Sequence, residues 1–254
     1  MITFAMRIMK MNNYKLIIQY DGTEYSGWQK QNGVLTVQEI INNAIDKILK
    51  EKVNLIGSGR TDAGVHAWGQ VANFRTEKEM NLFQFQYSLN SILPNDISVK
   101  ASEKVDENFH ARFDAKKRSY IYLFSKTKSP FYYKYSNHNH LIFDYDFGYL
   151  NKISQALLGE HDFTSLSRRN SDVENKVCNV SEIHWRKGKV IAAFYISADR
   201  FLRGMVRATV GTLLETAKEK RDEKFLIELL EKKNREEAGE SLPAKGLFLY
   251  KVRY

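Results

Sequence analysis

Gly57-Ser58-Gly59-Arg60-Thr61-Asp62-Ala63-Gly64-Val65-His66-Ala67-Trp68-Gly69-Gln70-Val71 lies between two short apolar runs, Val53-Asn54-Leu55-Ile56 and Val71-Ala72-Asn73-Phe74. Both runs read as β-strands, so the stretch between them is a strand-loop-strand connection. Its four glycines allow sharp bends and the close approach of another molecule. Working outward, Tyr14 to Tyr20 is rich in β-favouring residues and stops at the turn signal Asp21-Gly22. Thr36-Val37-Gln38-Glu39 has capping-box spacing, and Ile40, Ile41, Ala44, Ile45, Ile48 and Leu49 then recur every three or four residues, which predicts an amphipathic helix. Strands near 53–58 and 69–75, a helix near 79–92 ending before Pro94, and a strand near 97–104 complete the order β-α-β-β-α-β. That order is that of a ferredoxin-like unit with a mostly antiparallel sheet, in the α+β class.

The second half predicts strands near 117–125, 179–186, 189–197 and 247–253, and helices near 147–157, 201–218 and 222–233. With three prolines in the chain, no linker announces itself. The segment Tyr132-Tyr133-Lys134-Tyr135 to Asn137-His138-Asn139-His140 reads as a polar, aromatic surface loop, since His138 and His140 lack the further ligands of a metal site.

Within the opening loop, nucleotide cradling is excluded by spacing: neither Gly-x-x-x-x-Gly-Lys-Ser/Thr nor Gly-x-Gly-x-x-Gly is present. Ser58 is not in a nucleophile elbow, because Ile56 stands two residues before it. What remains is an arginine and a carboxylate two residues apart, which in extended backbone point the same way. A catalytic aspartate, a turn-forming aspartate and a plain ion pair all fit that pattern.

Of the 254 residues, 43% are hydrophobic, enough to build packed cores. Lysine and arginine number 39 against 30 acids, a formal charge of +9 that suits a polyanionic partner. The charge is polarised: Arg186 to Arg221 holds nine basic residues against three acids, and Asp222 to Glu240 seven acids against four bases. The single cysteine, Cys178, reads as a small core residue in a reducing compartment. No apolar run approaches the length of a membrane span, and Met1 to Met11 lacks a signal-peptide core, so a cytoplasmic protein is expected. Four methionines fall in the first eleven residues, and residues 1–12 read as disordered or as preceding an alternative start.

Gly59 to Ala67 resembles, without a gap, the signature of the TruA family of tRNA pseudouridine synthases. Further blocks are similar in the same order: Tyr20-Asp21-Gly22 with Tyr25-Ser26-Gly27-Trp28-Gln29; Asn90 to Ile97; Phe109 to Phe113 with Ala115, Arg118, Tyr120 and Tyr122. Gly159 to Ser165, Met205-Val206-Arg207 with Val210-Gly211, and Ala244 to Leu249 continue the series. The resemblance implies two ferredoxin-like or RRM-like α/β domains related by a pseudo-twofold axis, about 13–110 and 111–254, with the active cleft between them. It implies a cofactor-free isomerisation of uridine to pseudouridine in the tRNA anticodon stem-loop, at positions 38, 39 and 40, by a homodimer.

Carried over residue by residue, the resemblance implies that Asp62 is the catalytic carboxylate, paired with Arg207, and that Tyr120 lies under the uracil. Arg207 falls at the edge of the apolar stripe of its predicted helix, where a side chain can enter a cleft. Arg60 is placed beside Asp62 or in the space an extruded base vacates. By charge, Arg112, Lys116, Lys117, Arg118, Arg186, Arg200 and Arg203 are expected at RNA phosphates. Asp199 puts an acid beside the expected cleft, and Gly204 stands inside the predicted 201–218 helix, at a cost of about 1 kcal/mol relative to Ala. Two other readings compete: an RNA-binding protein without activity, and a metal-dependent nuclease built on Asp21, Asp62 or Asp96.

Overall fold

A computed structural model describes residues 11–169 and 173–254. The expectation for the first ten residues lies outside these, but Asn12 already belongs to a strand. The first half comprises β1 (Asn12–Tyr20), α1 (Val37–Leu49), β2 (Ile56–Gly57), β3 (His66–Thr76), α2 (Leu82–Ile92) and β4 (Ile97–Val105). Its strands lie in the order β4-β1-β3-β2, every neighbour antiparallel. The even-numbered residues Tyr14, Leu16, Ile18 and Tyr20 of β1 are buried with Val37, Ile41, Ala44, Ile45 and Leu49 of α1. The period of two thus meets a period near 3.6, and each fully buried Leu or Ile contributes about 1.5–3 kcal/mol.

The second half comprises β5 (Lys117–Ser125), β6 (Asn137–His138), α3 (Phe147–Ser154), β7 (Gly159–Asp162), β8 (Val177–Lys187), β9 (Ile191–Ala198), α4 (Met205–Lys218), α5 (Glu223–Glu231) and β10 (Leu247–Arg253). In the sheet they run β10-β5-β9-β8-β7, with β6 paired to β5. Taking β5-α3-β8-β9-α4-β10 as the β-α-β-β-α-β unit, the order is fourth, first, third, second, as in the first half. The halves form one continuous sheet, because Phe248 and Leu249 of β10 pair in parallel with His66 and Ala67 of β3. The outer edge of β3 is shared: β10 takes its start, and the two-residue β2 takes Ala72 and Asn73.

Four local expectations are corrected. The capping box does not form: Thr36 is the N-cap of α1 but its side chain caps nothing, and Glu39 instead pairs with Lys30 at 3.4 Å. Gly204 is not inside a helix but is the N-cap of α4, with φ of 73°, so the left-handed conformation there is what asks for glycine. β3 starts at His66 rather than near 69, because β10 supplies its first ladder partners from the far end of the chain. The aromatic insertion is not all loop, since Asn137 and His138 add to β5 in parallel. Cys178 is fully buried, and burial pushes its thiol up to about 12.

Gly211, in the middle of α4, gives a sign test. An Ala in a helix interior is ordinarily worth about 1 kcal/mol over Gly. Here an added Cβ would lie 1.9 Å from the Glu240 carbonyl oxygen, a backbone atom that cannot swing aside. Overpacking of this kind costs about 1–3 kcal/mol or more. Gly211→Ala is therefore expected to destabilise by about 2 kcal/mol, read as a lower urea midpoint; a raised midpoint would show that the 239–242 segment yields.

Candidate active site

The loop from Gly57 to Val65 is held on all sides before any substrate arrives. Its start is pinned by Ser58 N–H to Val71 O at 2.7 Å and by Ser58 Oγ to Gln70 Oε1 at 2.7 Å, while Gln70 Nε2 donates to Gly59 O at 3.0 Å. Its middle is held by the Tyr20 hydroxyl and Thr61 Oγ1, 2.8 Å apart, and by Trp28 N–H donating to Thr61 O at 3.1 Å. Gly27, with φ of 95°, lets the upstream strand-to-helix turn close on the loop, since a Cβ there would lie 2.5 Å from Thr61 O. The motifs Tyr20-Asp21-Gly22 and Tyr25-Ser26-Gly27-Trp28 are thus the cradle of the loop.

Asp62 emerges from this cradle with its side chain 28% exposed. Arg203 Nε donates to its Oδ1 at 3.3 Å, and Arg207 Nη1 lies 3.9 Å from its Oδ2. The two arginines differ in how they are held. Arg203 is 59% exposed and sits in the turn before α4, whereas Arg207 is in the first turn of α4 and donates from Nε to the Leu242 carbonyl. Arg60 is exposed, and no ion pair within 4 Å joins it to Asp62. Two residues of spacing did not make Arg60 the partner of Asp62; its ion pairs come from Arg203 and Arg207 instead.

Tyr120, on β5, is 9% exposed and packs edge-on against Phe201, ring centroids 5.0 Å apart. Burial pushes its hydroxyl up to about 12; the nearby Arg118 cation opposes that rise and the Asp62 charge adds to it. Among the described residues the Tyr120 hydroxyl has no hydrogen-bond partner in the protein, so a neutral O–H stands free beside a carboxylate and a cation.

Of the residues expected at phosphates, Arg112 and Lys116 are exposed, as is Arg186 on β8, while Lys117 and Arg200 are half-buried. Arg203 instead lies on Asp62, and Arg118 is turned to main-chain carbonyls. Asp199 does not point acid into the cleft: its Oδ1 accepts from Asn179 N–H at 2.8 Å and Arg200 N–H at 2.6 Å, closing the turn after β9. Charge alone could not distinguish these arginines, since what separates them is which backbone oxygens lie within reach.

His66, at the far end of the loop, has a structural part. It is 1% exposed, its Nδ1 accepts from Gly22 N–H at 3.0 Å, and its Nε2 faces the carbonyls of Lys134 and Lys245 at 3.0 and 3.2 Å. Burial lowers its pKa below the usual value, although Asp21, 3.1 Å away, pulls the other way. A lowered folded pKa means that the neutral form contributes stability above about pH 6.5 and that this is lost as pH falls. The urea midpoint is therefore expected to drop as pH falls below about 6.5, with a shallower dependence in His66→Gln. Equal slopes would remove His66 from the acid response. A cavity of about 370 Å³ lined by Asp21, His66, Trp68, Asp96, Tyr135 and Phe248 adjoins this histidine, and none of Asp62, Tyr120, Arg203 or Arg207 lines it.

The structure thus brings together a carboxylate between two guanidinium groups and a buried aromatic hydroxyl, with exposed cations nearby. Comparison with known proteins identifies the family. A family model described as tRNA pseudouridine synthase matches residues 16–114 and 153–254. A protein of Acetivibrio thermocellus named tRNA pseudouridine synthase A is 41% identical over 244 residues, covering 96% of this chain and all of that one. Proteins of the same name from Chlorobium phaeovibrioides and Bacteroides fragilis are each 40% identical, over 96% and 97% of this chain and 100% and 98% of theirs. With the full span of these relatives matched, the chain belongs to the tRNA pseudouridine synthase family.

Proposed function

We propose that the protein isomerises uridine to pseudouridine in the anticodon stem-loop of tRNA, at positions 38, 39 and 40, with Asp62 as its catalytic carboxylate and two copies of the chain forming the working unit. The observation that carries the reading is the Asp62 carboxylate lying between Arg203 and Arg207 beside Tyr120. The reaction breaks the N1–C1′ bond, turns the uracil within the site and joins C5 to C1′; the proton leaves C5 and N1 gains one. Nothing is oxidised or transferred to another molecule, so a carboxylate at the sugar and a proton carrier at C5 suffice. Asp62 is suited to the first task, by attack at C1′, by stabilising positive charge there or by taking a sugar proton. Tyr120 is suited to the second by position: its hydroxyl lies near Asp62 and near the Arg118 cation, which favours its ionised form against the burial that disfavours it.

A base within a stem reaches Asp62 only by leaving the stack. Arg60, exposed on the loop two residues from Asp62, is placed to enter the vacated space, and Arg112, Lys116, Lys117 and Arg200 supply cations for the phosphates. Recognition through backbone and shape suits an enzyme that accepts neighbouring positions.

The test is tritium release from tRNA labelled at uridine C5, with EDTA present, on transcripts retaining one uridine at a time at positions 38, 39 and 40. Release from each is expected, together with a protein mass in solution of two chains. Tight tRNA binding with no release would leave an RNA-binding protein without activity, and activity abolished by EDTA would favour the metal-dependent reading.

A further inference from the structure

Arg118 is expected from its charge at RNA phosphates, but its guanidinium has no donor left to offer one. An arginine carries five N–H groups. Nε and Nη2 both donate to Ser58 O, at 3.3 and 2.9 Å; Nη2 also donates to Arg112 O at 2.6 Å; Nη1 donates to Ala115 O at 3.1 Å and to Asp199 O at 2.7 Å. All five are used, every one on a main-chain carbonyl.

The carbonyls come from three places. Ser58 begins the loop that carries Asp62. Asp199 follows β9 and begins the segment that carries Arg203 and Arg207. Arg112 and Ala115 belong to the connection leading into β5, the strand that carries Tyr120. The first of these lies in one half of the sheet and the second in the other, and no backbone ladder joins them directly.

We infer that Arg118 is a positioning residue for the isomerisation: it fixes the Asp62 loop against the Arg203–Arg207 segment, so that carboxylate and cations keep the separation the reaction requires. This rests on the reading of Asp62 as the catalytic carboxylate. A planar fork is needed because the acceptors lie around its whole edge; a lysine offers three donors from a single nitrogen and cannot reach three segments at once. A misplacement of about 1 Å costs up to about 100-fold in rate.

The test compares Arg118→Ala and Arg118→Lys with wild type in single-turnover tritium release at saturating tRNA, alongside the salt dependence of tRNA binding and thermal melting. Arg118→Ala is expected to slow the reaction by about 30-fold, and Arg118→Lys by about tenfold, with tRNA affinity unchanged and part of the rate restored to Arg118→Ala by added guanidinium. The slope of log Kd against log[salt] is expected to match wild type. A slope shallower by about one with an unchanged rate at saturation would make Arg118 a phosphate contact and overturn the inference. Full activity in Arg118→Lys, or losses that only track the unfolded fraction without rescue, would overturn it too. Asp62→Asn run in the same assay separates the two readings: if that variant stays active, the assignment of Asp62 fails irrespective of Arg118; if it is inactive and the Arg118 variants are fast, positioning alone fails.

Discussion

Asp62→Asn is expected to abolish tritium release, lowering the single-turnover rate at least about 1,000-fold, while tRNA binding is kept or becomes tighter. The substitution is nearly isosteric, and what holds the loop is untouched by it: the Thr61 carbonyl still accepts from Trp28, Gln70 still reaches Gly59 O, and Val65 N–H still donates to the Asp62 carbonyl at 3.2 Å. Only the charge is removed. An amide cannot attack C1′, cannot balance positive charge there and cannot accept a sugar proton, so each of the three roles open to the carboxylate is lost together. Binding moves the other way, because among the described residues the carboxylate is the negative group paired with Arg203 and Arg207, and its removal leaves both cations to attract a polyanion. The two readouts are single-turnover release and filter binding with the same labelled tRNA. Release within tenfold of wild type would remove Asp62 from the chemistry, and lost binding would turn the loop into a docking element.

How much of this was legible before the structure depends on the range over which each feature is determined. The β-α-β-β-α-β order was readable because α1 and β1 carry their own periodicity, and β10 matches its predicted span of 247–253 because its apolar run is bounded on both sides. The start of β3 was not, since its first partners are Phe248 and Leu249, and no local pattern encodes a ladder formed so far along the chain. The beginning of α4 was missed for a different reason: Phe201 and Leu202 continue the apolar stripe, but Gly204 takes a left-handed conformation that stops the helix from extending back to them. The glycines of the upstream motifs look like ordinary turn glycines, and the Val65 carbonyl beside Gly22 and the Thr61 carbonyl beside Gly27 show that they make room for the Asp62 loop.

The arginines show the same limit at the level of the site. From the sequence, Arg112, Arg118, Arg200, Arg203 and Arg207 are five equivalent cations, sorted only by the resemblance that singled out Arg207. Their surroundings separate them. Arg118 is saturated by carbonyls, Arg203 lies against the carboxylate from an exposed turn, and Arg207 is tethered through Leu242. A helical wheel supplied the edge position of Arg207 but no reason to prefer it to Arg203 as the partner that counts.

Distance alone would rank Arg203 first, at 3.3 Å against 3.9 Å, yet Arg207→Gln is expected to cost about 100- to 1,000-fold in rate and Arg203→Gln about tenfold or less. The difference lies in what happens when RNA covers the cleft. An exposed ion pair is worth about 0.2–1 kcal/mol, since water screens it and a long side chain gives up rotamer freedom to hold it. Arg203, 59% exposed and free of other side-chain bonds among the described residues, can leave Asp62 for a phosphate as the nucleotide enters. Arg207 cannot leave so readily: α4 fixes its backbone, Leu242 N–H donates to its carbonyl at 3.2 Å, and its own Nε is bound to Leu242 O. It remains beside Asp62 after water has gone, and removing one partner of a covered pair costs about 3–5 kcal/mol, the lower part of which, about 3–4 kcal/mol, corresponds to that larger loss of rate. The two variants should also differ in kind. Arg203→Gln is expected to weaken tRNA binding and to flatten its salt dependence by about one unit of slope, whereas Arg207→Gln leaves the slope as it is and acts on the rate at saturation. If Arg203→Gln proves the slower enzyme at saturating tRNA, the exposed arginine is the one that stays on Asp62 through the reaction, and the tether at Leu242 serves the fold of α4 rather than the chemistry.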